Sequence, residues 1–205
     1  MNILTHKLPE AIISCDEKYL INTDFRVWIT FEEKFEELKN GSKEAFVEIC
    51  KLCFKIDDVE PFKLPPTWLD TAKALFAFYC GYDDIEELKD KRNEAKDEDD
   101  ARSMQKSQRI YSFSFDAEYI YAAFLQQYGI DLTETNMHWW KFKALFSALT
   151  SETKMHEIMG IRAVDISKIT DKDQRAHYLR AKRIYALPDM RSEEEKEADF
   201  ADALW

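Results

Sequence analysis

The sequence predicts a mainly α-helical fold, an irregular multi-helix bundle with a small N-terminal β-hairpin. Three observations carry that expectation. Four glycines and five prolines in 205 residues are few for a β-rich or loop-rich chain. Apolar residues recur at helical spacing along most of the length, most densely between positions 115 and 169. Only near the N-terminus does the pattern alternate as a strand does.

That alternation covers 11–15 and 19–21, on either side of Asp16 and Glu17, and reads as a hairpin. Asn22 or Thr23 can then cap a helix that begins near Asp24 and runs to Lys39, with Gly41 as its stop. Ser42 restarts a helix through Lys55, and Pro61, Pro65 and Pro66 break the pattern. Thr67 with Asp70 approximates a capping box for a helix ending before Gly81. From 83 to 100 charges of both signs crowd together while apolar residues thin to Ile85, Leu88 and Ala95. Such a stretch reads as an exposed helix and loop, so residues 83–109 are a candidate charged linker inside one helical domain of residues 1–188.

Two aromatic-rich helices follow. The first, 115–128, has one stripe of Ala117, Ile120, Tyr121, Phe124 and Tyr128, the pattern of a packing neighbour, and Gly129 is placed to end it with positive φ. The second, 134–149, is apolar on two sides. Met137, Trp140, Ala144 and Ala148 line one, and Trp139, Phe142, Phe146 and Leu149 line nearly the opposite one, with Lys141, Lys143, Ser147 and His138 interrupting. A helix of that kind is either central in its domain or touches a partner.

A short helix over 152–161 carries Met155, Ile158 and Met159. Thr170 or Asp171 caps another that runs to Leu187, where Pro188 ends it. Lys172, Arg175, Arg180, Lys182 and Arg183 make that last helix locally positive, which on a solvated face contributes little to stability. The tail, 189–205, opens with a Ser192–Glu195 capping box and carries Phe200, Leu204 and Trp205. It is too short to be a stable helix alone, so it docks, frays or binds a partner.

A net charge of −11 argues against general nucleic-acid binding and against an anionic membrane surface. The N-terminus has no signal-peptide pattern, and no apolar run approaches the eighteen or so residues of a bilayer span. A soluble cytoplasmic protein is the expectation. The cysteines, Cys15, Cys50, Cys53 and Cys80, fit a reducing compartment. Cys50 and Cys53 imitate a C-x-x-C pair, yet they share a helix face with Phe46 and Ile49 and lie toward the wrong end of the helix for a stabilised thiolate. Core packing is the expected role.

Catalytic signatures are missing. Glycines only at 41, 81, 129 and 160 allow neither a phosphate-cradling loop nor a G-x-S-x-G turn. His6, His138, His156 and His177 lack metal-ligand spacing, and His156–Glu157 is not followed by the second histidine of H-E-x-x-H. We expect no catalytic residue, cofactor or metal.

Five segments together resemble a known family: YLINTDFR at 19–26, FYCG at 78–81, SFDAEYIYAAFLQQYGIDL at 114–132, HWWKFKALFSAL at 138–149 and IMG at 158–160. They are similar to the gene-product-fifteen (Gp15) family of tailed bacteriophages and prophages. The resemblance implies a gene in the tail-assembly module of long-tailed phages of Gram-positive hosts, beside the tape measure gene. It further implies a tail assembly chaperone that coats the helix-prone tape measure protein in the host cytoplasm, before tail-tube subunits polymerise, and that is absent from the mature virion. A structural component of the tail or of the head–tail junction is the alternative. On the chaperone reading, Trp139, Phe142 and Phe146 are the expected client contacts, and Phe200, Leu204 and Trp205 serve self-association or client handover. The partners are then the tape measure protein and the tail tube protein, without nucleic acid or membrane.

Overall fold

In the computed structural model, which describes residues 4–39, 43–55, 67–82 and 109–188, seven α-helices follow a single β-hairpin among those residues. Strands β1 (Ala11–Ser14) and β2 (Glu17–Leu20) pair antiparallel, with Ala11 opposite Leu20 and Ser14 opposite Glu17. The turn sits at Cys15 and Asp16, both with positive φ, one residue earlier than the alternation predicts. Two successive left-handed residues make the tight turn whose twist matches paired strands. Ile12 and Ser14 face inward, and Ser14 Oγ lies 2.9 Å from Thr71 Oγ1, which ties the hairpin to the third helix.

Helices α1 (Phe25–Lys39) and α2 (Lys43–Cys53) pack on each other. The N-cap of α1 is Asp24 instead of Asn22 or Thr23. Its Oδ1 accepts the Arg26 amide at 2.9 Å, while Asn22 Oδ1 accepts the Asp24 amide. Thr23 is drawn elsewhere, because its carbonyl receives the Trp139 amide. Gly41 and Pro61, Pro65 and Pro66, expected to act as stops, lie outside the described residues. Cys50 and Cys53 are fully buried, and burial pushes the Cys50 thiol up to about 12, so they pack as the sequence suggests.

Helix α3 (Trp68–Cys80) ends as predicted, with Gly81 at φ 95° and the Tyr82 amide returning to the Ala77 carbonyl. The expected capping box at its start is not formed, since Thr67 makes no side-chain cap and its carbonyl instead accepts the Thr71 hydroxyl. Helix α4 (Ala117–Tyr128) ends at Gly129 with φ 64°, also as predicted. Helix α5 (Trp139–Ser147) is shorter than the periodicity implies. Residues 131–135 are taken by a turn around Asp131, and His138 caps the helix late by accepting the Trp140 amide on Nδ1 at 3.0 Å. Helix α6 (Lys154–Ala163) and helix α7 (Lys172–Ile184) are capped by Thr153 and Asp171, with a single 3-10 turn at Ile166–Lys168 between them.

Helix α5 is the hub. Phe142, fully buried, is stacked between Phe25 of α1 at 4.7 Å and Phe124 of α4 at 5.0 Å. A buried ion pair ties α6 to the start of α4. Arg162 of α6 holds Asp116 with two bonds of 2.6 and 2.9 Å, and also donates to the carbonyls of Ile110 and Tyr185. No described helix is long and apolar enough to cross a membrane. The linker at 83–108 and the tail at 189–205 lie outside the described residues.

Candidate partner-binding cleft

The C-terminus of α3 leaves carbonyls that its own helix cannot satisfy, and α5 supplies donors for them. Trp139 Nε1 reaches the Tyr79 carbonyl at 2.8 Å, Trp140 Nε1 reaches that of Phe78 at 2.8 Å, and Lys143 Nζ reaches Tyr79 again at 2.9 Å. The cation is well placed at the negative end of a helix. Positions 139, 140 and 143 fall on adjoining faces of α5, so one turn of helix delivers all three donors.

Above this junction lies a cleft of about 350 Å³, a volume suited to a small ligand or one or two side chains. Tyr79, Cys80 and Tyr82 form one wall, Tyr111 and Phe113 another, and Trp139, Lys143, Phe146 and Ser147 the floor and rim. The rings brace one another: Tyr79 stacks on Trp139 at 5.3 Å, Tyr111 meets Phe146 edge-on at 5.0 Å and Phe113 meets Trp139 edge-on at 5.8 Å. Lys143 Nζ lies 5.6 and 5.8 Å from the ring centroids of Tyr79 and Trp139, within cation–π range. Loss of water lowers its pKa, and Cys80 and Glu32 oppose that shift. Glu32 is already engaged, accepting from the Tyr79 hydroxyl and from Arg109 Nη2 at 3.2 Å. Burial raises the pKa of both Tyr79 and Tyr111, so both phenols stay protonated at neutral pH.

The expected client contacts Trp139, Phe142 and Phe146 are drawn inward by the fold. Their exposures are 1, 0 and 6 %, so these rings form no outward-facing surface. The reason is that α5 is covered on both flanks, by α1 and α4 on one and by the end of α3 and residues 111–113 on the other. The helix is apolar around most of its girth because it is central. Trp139 and Phe146 nevertheless line the cleft, whereas Phe142 lies sealed beneath it. Phe200, Leu204 and Trp205 lie outside the described residues.

Sequence reasoning missed Tyr79, Tyr111, Phe113 and the role of Lys143. Lys143 did leave a signal, as a lysine four residues after Trp139 in an otherwise apolar surface. It becomes meaningful only once the end of α3 is brought against it. The segments that resembled a family meet in this region. Trp139 donates its amide to Thr23, Phe25 to Met137, and Arg26 Nη2 reaches the carbonyls of Leu132, Thr133 and Thr135.

Residues 4–187 match the family described as Bacteriophage Gp15 protein. The chain belongs to that family. No curated protein and no solved structure matches it. In this chain the segments that carried the resemblance form joints between elements: 19–26 with 131–139, and FYCG with HWWKFK.

Proposed function

We propose that this Gp15 protein is a tail assembly chaperone. It acts without catalysis in the host cytoplasm, holds the tape measure protein while the tail is built, and is left out of the finished virion. Family membership supplies the phage context, and the cleft over α5 is the observation that supports a binding role. Its walls are rings from three separate parts of the chain, already packed on one another, so a guest side chain meets a preformed apolar surface. Preorganisation lowers the ordering cost of each contact with a long client. Many weak contacts of this kind along one client add up through effective concentration. Self-association through Phe200, Leu204 and Trp205, and contact with the tail tube protein, belong to the same proposal.

Co-expression with the adjacent tape measure gene tests it. The tape measure should co-purify with the wild type, and Ser147→Trp, which fills the rim of the cleft, should release it without lowering the melting temperature. Mass spectrometry of purified virions supplies the second arm: stoichiometric Gp15 protein in mature particles would replace the chaperone reading with a structural one.

A further inference from the structure

We propose that the cleft selects an aromatic side chain with a carboxylate beside it: the ring lodges in the cleft against the exposed edges of its lining rings, Tyr111 foremost, and the carboxylate pairs with the Lys143 ammonium. This deepens the client reading and rests on it for the identity of the guest, which would be an acidic, aromatic segment of the partner.

The shape argument comes first. Rings line each side of the cleft beside Cys80, Lys143 and Ser147, and Tyr111 and Phe113 already meet Phe146 and Trp139 edge-on. A further ring entering there meets faces and edges at the spacing that aromatic clusters prefer.

The charge argument decides between an aromatic acid and a plain apolar guest. Among the described residues, Lys143 is the charged group that lines the cleft, and Glu32 and Arg109 stand next to its wall through Tyr79 and Tyr111. Glu32 accepts from Arg109 and from the Tyr79 hydroxyl, which accounts for its charge. Among the described residues Lys143 donates to the Tyr79 carbonyl and lies against two ring faces, with no carboxylate in hydrogen-bond reach. Among these three described groups one positive charge is left over, in a chain whose net charge is −11. A half-buried cation with no carboxylate in contact is only partly compensated, and an incoming carboxylate completes the pair where solvent screens it less than on an open surface. The lysine is prevented from swinging to open water by its bond to Tyr79, which also orients the remaining ammonium protons.

Hydrocinnamate, an aromatic ring with a carboxylate two carbons away, is the simplest probe, with its uncharged amide and propionate as controls. Ligand-observed NMR on the full chain should show the acid binding about tenfold more tightly than the amide, the size expected of one hydrogen bond to a charged group. Propionate should not bind measurably. Lys143→Gln should reduce the acid to the level of the amide, and Lys143→Arg should keep the preference. The acid's advantage should fade as rising pH neutralises Lys143. Equal binding of acid and amide to the wild type, which needs no variant to fold, would overturn the proposal. So would an acid preference untouched by Lys143→Gln. If the probe preference holds and the tape measure fails to co-purify, the site stands and the client reading falls. If the preference is absent and the tape measure still co-purifies, the selectivity falls and the client reading stands.

Discussion

Arg162 and Lys143 are two cations drawn away from water in the same molecule, and the fold treats them differently. Arg162 has a buried carboxylate gripped by both of its terminal nitrogens, a backbone carbonyl on each side, and 4 % exposure. Asp116 in turn accepts the Ser112 amide, so both partners are bonded on several sides. Lys143 has one carbonyl, two ring faces and, among the described residues, no carboxylate of its own. A completed buried pair locks three chain segments, residues 110–116, α6 and the end of α7, into one arrangement. An incomplete one beside an open cleft is what a binding site requires.

Breaking the completed pair should have the largest effect. Arg162→Met strands Asp116 in the core and should cost about 3–5 kcal/mol in urea unfolding. The double variant Asp116→Leu, Arg162→Met should recover part of that loss, because it removes the stranded charge but leaves the Ser112 amide and the Ile110 and Tyr185 carbonyls without these partners. Lys143→Met should lower stability by less than about 1 kcal/mol, since the Tyr79 carbonyl keeps its Trp139 bond and water can reach the cleft. A loss equal to that of Arg162→Met would erase the distinction drawn between the two cations.

The smallest effect concerns pH. His138 caps α5 through Nδ1, which fixes its proton on Nε2 facing the Pro9 carbonyl. Its pKa is lowered, chiefly by burial, with Lys141 adding to the shift and the Pro9 bond and Glu10 opposing it. A histidine with a depressed folded pKa binds its proton more readily in the unfolded chain. Its contribution to stability is therefore complete above the ordinary value of about 6.5 and is lost as pH falls through the lower folded value. His138→Asn keeps a capping acceptor and does not titrate, so urea midpoints of wild type and variant should converge as the pH is lowered. Parallel curves would remove His138 as the cause.

Local chemistry was legible in the sequence and long-range geometry was not. Gly81 and Gly129 marked helix ends because their backbone signs are dictated on the spot. The hairpin was visible from alternation, and its turn shifted by one residue because Cys15 and Asp16 adopt positive φ together. The start of α5 was misplaced by five residues, since apolar periodicity continues through 134–138 while Asp131 and His138 impose a turn and a late cap. The two-sided apolar surface of α5 was correctly seen as ambiguous, and packing resolved it toward the core. Nothing in the sequence could pair Arg162 with Asp116, forty-six positions away. The cleft was equally invisible, because its walls come from residues 79–82, 111–113 and 139–147.

The claim that the cleft faces the client has a direct measurement. A benzophenone side chain installed at Ser147, on the cleft rim, should crosslink to the tape measure protein on irradiation during co-expression, whereas the same group at Arg180, on the exposed face of α7, should not. Crosslinking at Arg180 with none at Ser147, in a complex that still co-purifies, would contradict the account.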